Sequence, residues 1–232
     1  MSSVPSVKAY LRHWWELNRN RSDTVVVSVD GFSLQVNRKV FSPDPKETFS
    51  TSLILEALPD RLDGQRVLDI GTGAGILAFA CARRRADLVV GTDKHDYVLR
   101  NARENLRTLK AVDKSLREVR FVKGDLLAFE GAPAFAKRGS RFDLILANLP
   151  IYSAETTPLQ SRLIGDVQDF LATGGEVLVT YAEFGRHADA IREECERSQL
   201  DWVCASKHAL GVRWDLWRGK RRAHQLRLVN PA

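Results

Sequence analysis

Three glycines at alternate positions, Gly71, Gly73 and Gly75, separate Val67-Leu68-Asp69-Ile70 from Ile76-Leu77-Ala78. The first run is apolar and carries one acid; the second is apolar at helical spacing. Glycine tolerates positive φ and lets a ligand reach the main chain without meeting a Cβ. A strand, a glycine turn and a helix in that order hold a nucleotide-like cofactor at the carboxyl end of the strand. Leu88-Val89-Val90-Gly91-Thr92-Asp93 then reads as a second strand ending on an acid. A carboxylate there can accept both hydroxyls of a ribose. A third strand is followed by Gly124-Asp125, placed to receive the amino group of an adenine. A fourth ends in Ala147-Asn148-Leu149-Pro150-Ile151.

The elements that must position these residues alternate along the chain. Strands are expected at 66–70, 88–93, 118–122, 142–147 and 175–181, and helices at 75–84, 96–109, 159–172 and 186–199. That alternation marks a parallel sheet covered on both faces. Trp202 to Leu210 and Gln225 to Val229 read as two further strands with no helical pattern between them, which predicts an antiparallel hairpin at the sheet edge. Upstream, Asp30-Gly31 lies between two β-branched or alternating runs and predicts a hairpin. Val7 to Asn18 reads as a short amphipathic helix. The expected organisation is therefore residues 1–45 as a helix-and-hairpin appendage and residues 46–232 as one α/β domain. Gly131 to Ser140 is the expected surface loop.

Composition limits the function classes. The chain has 232 residues, 44% hydrophobic and 28% charged, which suits one α/β domain with a sizeable core. No apolar run is long enough to cross a membrane, and Met1 to Tyr10 lacks a signal-peptide pattern. The three cysteines (Cys81, Cys195, Cys204) are scattered, as reduced thiols of a cytoplasmic protein would be, and the five histidines are dispersed, so no metal is expected. The net charge of +6 points either to phosphate-rich partners or to a mere bias toward arginine.

A nicotinamide-binding turn would read G-x-G-x-x-G. The sequence here is Asp69-x-Gly71-x-Gly73-x-Gly75. Each motif alone has a plain reading: a turn at the glycines, a helix cap at Asp93, a turn at Gly124-Asp125. Together, at the ends of successive strands, they resemble the class I methyltransferases that use S-adenosylmethionine. The resemblance spans about residues 43 to 182. It implies a Rossmann-like sheet of seven mostly parallel strands with helices on both faces and an antiparallel terminal hairpin. It implies a cofactor set of Asp69, Gly71, Thr72, Gly73, Gly75, Asp93, Lys94, Gly124, Asp125, Leu126 and Asn148. The glycines would pass the methionine part, Asp93 the ribose and Asp125 the adenine.

Many enzymes of this fold carry Asn-Pro-Pro-Tyr after the fourth strand and methylate planar nitrogens. The delocalised lone pair of an amide or aryl amine makes a poor nucleophile. An Asn carbonyl and a neighbouring main-chain carbonyl can each accept one N–H, aligning the nitrogen and favouring charge build-up on it. Here the motif reads Asn148-Leu149-Pro150-Ile151, followed by Tyr152. Asn148, Pro150 and Tyr152 are the candidate catalytic residues, with Leu149, Ile151, Tyr152 and Trp14 lining the acceptor pocket. For an ordinary amine, Tyr152 or Asp44 would be the candidate base. Asp30 to Val36, then Val40-Phe41-Ser42-Pro43-Asp44-Pro45 and Thr51-Ser52-Leu53, resembles the entry of release-factor glutamine methyltransferases, with either Thr48 or Thr51 matching the family threonine. The acceptor stays open between protein, RNA and a small molecule. Trp214 to Arg222 interleaves aromatic and basic residues, which suits either single-stranded RNA or a solvated hairpin with one buried tryptophan.

Overall fold

The computed structural model describes residues 12, 24–132, 141–149, 157–182, 187–210 and 212–222. The expected N-terminal helix with Trp14, the segment Pro150-Ile151-Tyr152, most of the 131–140 loop and Gln225 to Val229 lie outside the described residues.

Strands β1 (Val25–Val29) and β2 (Phe32–Val36) form the expected hairpin, with Val29 paired to Phe32. Asp30 and Gly31 both have positive φ, at 48° and 71°. Two successive positive-φ residues make the turn whose twist matches paired strands. Alternation buries Val27, Val29, Phe32, Leu34 and Val36, so the inner face of the hairpin joins the core of the domain.

Helix α1 (Ser50–Ala57) follows and stops at Leu58, which is extended because Pro59 comes next. Then come β3 (Arg66–Ile70), α2 (Ile76–Arg83), β4 (Leu88–Asp93), α3 (Asp96–Lys110), β5 (Val119–Asp125), β6 (Ala128–Phe129) and β7 (Phe142–Ala147). The chain continues through α4 (Thr157–Asp166), β8 (Leu171–Ala182), α5 (His187–Arg197), β9 (Leu200–Ala209) and β10 (Val212–Arg221).

The sheet order is β6-β5-β4-β3-β7-β8-β10-β9. Strands β5, β4, β3, β7 and β8 are parallel, and β10 and β9 run antiparallel. This is the expected Rossmann-like sheet of seven strands, extended by the two-residue β6 on the β5 edge. From β3 the chain winds outward to β4 and β5, then returns to the other side of β3 for β7 and β8. The β3/β7 boundary is thus the switch point, outside whose carboxyl ends ligands bind.

The sequence reading missed one strand. Val212–Arg221 is extended and inserts between β8 and β9, where only a loop was expected. Its charges hide its strand character. Asp215 is 2% exposed, yet it accepts both a forked pair from Arg213 at 2.9 and 3.1 Å and the Ser206 hydroxyl at 2.7 Å. A buried charge is tolerated when it is paired and hydrogen-bonded in this way. Gly219 is needed because a Cβ there would sit 2.9 Å from the Trp202 indole. Helix α4 also ends earlier than expected, and β8 starts at Leu171 instead of 175.

Candidate active site

The glycine turn is built from below. Gly71 and Thr72 both donate N–H to the carbonyl of Thr92, at 2.9 Å each, so the turn leaving β3 is pinned to β4. Gly71, Gly73 and Gly75 have φ of 71°, 56° and 96°. They serve differently. A Cβ on Gly75 would lie 2.7 Å from the Phe79 ring, so this glycine lets α2 begin against its own side chains. A Cβ on Gly73 would meet nothing nearer than the Gly71 carbonyl at 4.0 Å. Gly73 therefore presents bare backbone to open space.

That space is a cavity of about 250 Å³ at the carboxyl ends of β3, β4 and β7. Gly71, Thr72, Gly73 and Asp93 line one side; Asn148, Leu149, Thr180 and Trp214 line another; Lys39, Phe41, Pro43, Ser50 and Thr51 contribute from the segment after the hairpin. Asp93 is the one carboxylate among these described lining residues. Its Oδ1 accepts the main-chain N–H of His95 at 2.9 Å. Burial lifts its carboxyl above the usual carboxylate range, against the pull of main-chain donors at His95 and Gly73.

Asp69 stands behind the cavity instead of in its wall. It is 1% exposed, and Thr72 Oγ1 donates to its Oδ2 at 2.7 Å while Oδ1 has no partner. Burial raises its carboxyl to about 7. Lys94, Gly124 and Asp125 line an adjoining surface depression. Gly124 has a packing reason of its own, since a Cβ there would fall 2.2 Å from Phe129 Cβ. Leu126 is buried with φ of 54°, turning the chain toward β6. Pro150, Ile151, Tyr152 and Trp14 lie outside the described residues. Asp44 accepts the main-chain N–H of Lys46 at 2.9 Å, an Asx turn, and does not line the cavity.

Asn148 is fixed at both ends. Its Nδ2 donates to Thr51 Oγ1 at 3.0 Å, and Thr180 Oγ1 donates to its Oδ1 at 2.9 Å. A carbonyl oxygen has two lone pairs, so Oδ1 keeps capacity for one further donor. Thr51, not Thr48, is therefore the threonine at the site; Thr48 meets Ser50 at 3.0 Å.

Several site residues escaped the sequence reading. Thr180 sits mid-strand in β8 with no local signal. Asn105 is 4% exposed on α3, and its Nδ2 donates to the carbonyls of Gln35 and Ala74 at 2.9 and 3.0 Å, while its Oδ1 accepts Gln35 N–H at 2.9 Å. One side chain thus ties the hairpin, α3 and the glycine turn together. Each buried partner left unpaired on its removal would cost about 1–3 kcal/mol. Trp214, 3% exposed, donates its Nε1–H to the Ala209 carbonyl at 3.0 Å. It is the buried tryptophan of the second reading of the 214–222 segment. The basic residues around it are engaged within the fold: Arg218 and Lys220 by Glu176, Arg222 by Asp201.

Cys81 and Cys195 do not resemble nucleophiles. Cys81 is fully buried, and burial pushes the Cys195 thiol up to about 12. Among the described residues no group of three His, Cys, Asp or Glu could hold a metal, and no helix is long and apolar enough to cross a membrane.

A ribosomal protein L11 methyltransferase of Geobacter sulfurreducens is 34% identical over 182 residues, covering 76% of this chain and 54% of the relative. A putative protein N5-glutamine methyltransferase of Methanocaldococcus jannaschii is 30% identical over 126 residues, 54% of each chain. The chain spans about half the length of the curated relatives it matches. A T. thermophilus 16S rRNA methyltransferase in complex with AdoMet and guanosine superposes with a TM-score of 0.62 at 19% identity, over 86% of this chain and 50% of that one. The family profile described as methyltransferase small domain matches residues 32–203, from the second hairpin strand to β9, and the chain belongs to that S-adenosylmethionine-dependent family.

Proposed function

We infer that the chain is an S-adenosylmethionine-dependent N-methyltransferase acting on a planar nitrogen, an amide or an aryl amine. The observation that carries the reading is the two-sided clamp on Asn148 at the end of β7, beside the glycine cavity.

The residues present fit the cofactor. Gly73 offers backbone with open space where a Cβ would otherwise stand. Asp93 is half-buried in the same wall and suits a pair of ribose hydroxyls. When bound, the cofactor supplies an electrophilic methyl group on a sulfonium. The protein's part is to present the acceptor nitrogen. Asn148 Oδ1, held by Thr180, accepts one N–H of the acceptor, and a main-chain carbonyl of the Leu149-Pro150 segment accepts the other. Both carbonyl dipoles favour the positive charge that grows on nitrogen in the transition state. Because they are already oriented, little reorganisation accompanies the reaction. Lys94, Asp125 and Leu126 complete the adenine end in this reading, and Ile151 and Tyr152 line the acceptor side. A non-catalytic, cofactor-binding role would leave the Asn148 clamp without a purpose.

The relatives' names divide between protein and RNA acceptors. The test is transfer of labelled methyl from S-adenosylmethionine into a cell extract, then acid precipitation with RNase or protease. Label made soluble by one of the two enzymes identifies a macromolecular acceptor of that class. Label in a new soluble compound identifies a small-molecule enzyme, and absence of any transfer contradicts the reading.

A further inference from the structure

The excess positive charge is not spread over the surface. Residues 94–123 carry nine lysines and arginines against four acids, a surplus that nearly equals the net +6 of the whole chain. Within α3, Arg100, Arg103, Arg107 and Lys110 recur at three- and four-residue steps and so share one face of the helix. All four are exposed, while Val98, Ala102 and Asn105 bury the opposite face. The stripe merges with the sheet edge. Arg103 Nη2 donates to the Phe121 carbonyl of β5 at 2.8 Å, and β5 itself exposes Arg120 and Lys123.

The four acids of this segment offset only part of it, since nine cations face them. Asp113 is shared with Arg83 of α2 at 3.4 Å, while Glu104 accepts from the neutral amide of Asn37 at 3.3 Å and keeps its charge. Asp96 pairs with Lys123 at 2.7 Å and Glu118 lies 3.8 Å from Arg120, so these two acids offset the two cations that β5 adds and leave the α3 face itself in surplus. Arg103 and Lys110 donate to main-chain carbonyls, which leaves their charge uncompensated.

At its N-terminal end the stripe reaches the cavity. Tyr97, 41% exposed, stacks on His95 with ring centroids 5.1 Å apart and 27° between planes. Both rings line the cavity rim. A row of cations leading to an exposed aromatic face is the pattern that tracks a phosphate backbone and stacks a base. An anionic membrane would call for an apolar patch. The exposed large apolar side chains near this face are Tyr97 and Val112, at opposite ends of α3.

We propose that the α3 stripe of Arg100, Arg103, Arg107 and Lys110, ending at Tyr97, is a docking face for single-stranded RNA. The proposal rests on the methyl-transfer reading for what the RNA is brought to, and on this surface for the docking itself. α3 has 15 residues, about 22 Å of length, enough for several phosphates.

The test is fluorescence anisotropy of a labelled 20-nucleotide single-stranded RNA between 50 and 200 mM KCl, without cofactor. The wild type binds with a steep salt dependence. The triple variant Arg100→Gln, Arg107→Gln, Lys110→Gln lowers affinity at least about 30-fold at 100 mM KCl and flattens the log–log salt slope by about two, as loss of three phosphate contacts requires. Tyr97→Ala lowers affinity about tenfold at 200 mM KCl. Lys207→Gln with Arg222→Gln, on the opposite edge of the sheet, leaves RNA binding unchanged. Unaltered S-adenosylmethionine affinity in the triple and control variants, and an unaltered melting temperature in all variants, separate this outcome from misfolding and from failure of the methyltransferase reading. An unchanged salt slope in the triple variant overturns the proposal. So does stronger binding to phosphatidylserine vesicles or to polyglutamate than to the RNA.

Discussion

Thr180 and Asn148 stand side by side because β7 and β8 pair in parallel with Ala147 opposite Val179. The register places the Thr180 hydroxyl 2.9 Å from Asn148 Oδ1. With Nδ2 donating to Thr51, the amide plane of Asn148 is set by two different elements, β8 and α1. Thr180→Val keeps the shape and deletes the donor. One hydrogen bond of about 1.4 kcal/mol corresponds to about tenfold in rate. Single-turnover methyl transfer is therefore expected to slow about tenfold with cofactor affinity unchanged, and Thr180→Ser should restore it. An equal loss in both variants would assign Thr180 to packing alone.

The glycines separate by what a methyl group would meet. At Gly73 (φ 56°) the added Cβ meets only φ strain and open cavity space, so Gly73→Ala should fold, with a modest loss of stability, and lose cofactor affinity. At Gly75 it meets the Phe79 ring at 2.7 Å with φ of 96°, so Gly75→Ala should lower the melting temperature first. Overpacking and a strained φ each cost about 1–3 kcal/mol. Calorimetric titration beside thermal melts reads both, and identical behaviour of the two variants would count against the division.

Asp93→Ala should weaken S-adenosylmethionine binding by about 1–3 kcal/mol, because two ribose hydroxyls lose their acceptor. Equilibrium dialysis measures this directly. Unchanged affinity would remove Asp93 from the site.

Asp69 carries a pH dependence. Burial raises its carboxyl to about 7 in the folded chain, against about 3.9 in an unfolded one. Between those values the folded chain retains a proton that the unfolded chain has lost. Stability therefore falls as pH rises from about 4 to about 7, then levels off. Asp69→Asn removes the titration and keeps an acceptor for Thr72. Its melting temperature should exceed that of the wild type at pH 8, with the gap narrowing as pH falls toward about 4. Parallel curves would mean that Asp69 does not titrate in this range.

The parallel half of the fold was legible because buried parallel strands are continuous apolar runs ending at glycine or acid. β3, β4 and β7 fall where Asp69, Asp93 and Asn148 mark their ends. The strand Val212–Arg221 was not legible, since its charges read as solvated and only the fold buries Asp215 between Arg213 and the Ser206 hydroxyl of β9. Asn105 and Thr180 were equally silent. Each acts through partners far away in sequence, and nothing in the local pattern distinguishes a buried asparagine on α3 from an exposed one. The choice between Thr48 and Thr51 likewise needed the fold, because only the packing of α1 brings Thr51 to Asn148.

The most direct test of the account is Asn148→Ala, measured for methyl transfer and for S-adenosylmethionine affinity on the same preparation. The account predicts that transfer falls at least about a hundredfold while cofactor affinity stays within about twofold of the wild type. Transfer at the wild-type rate would contradict the role of Asn148 and with it the proposed reaction at a planar nitrogen.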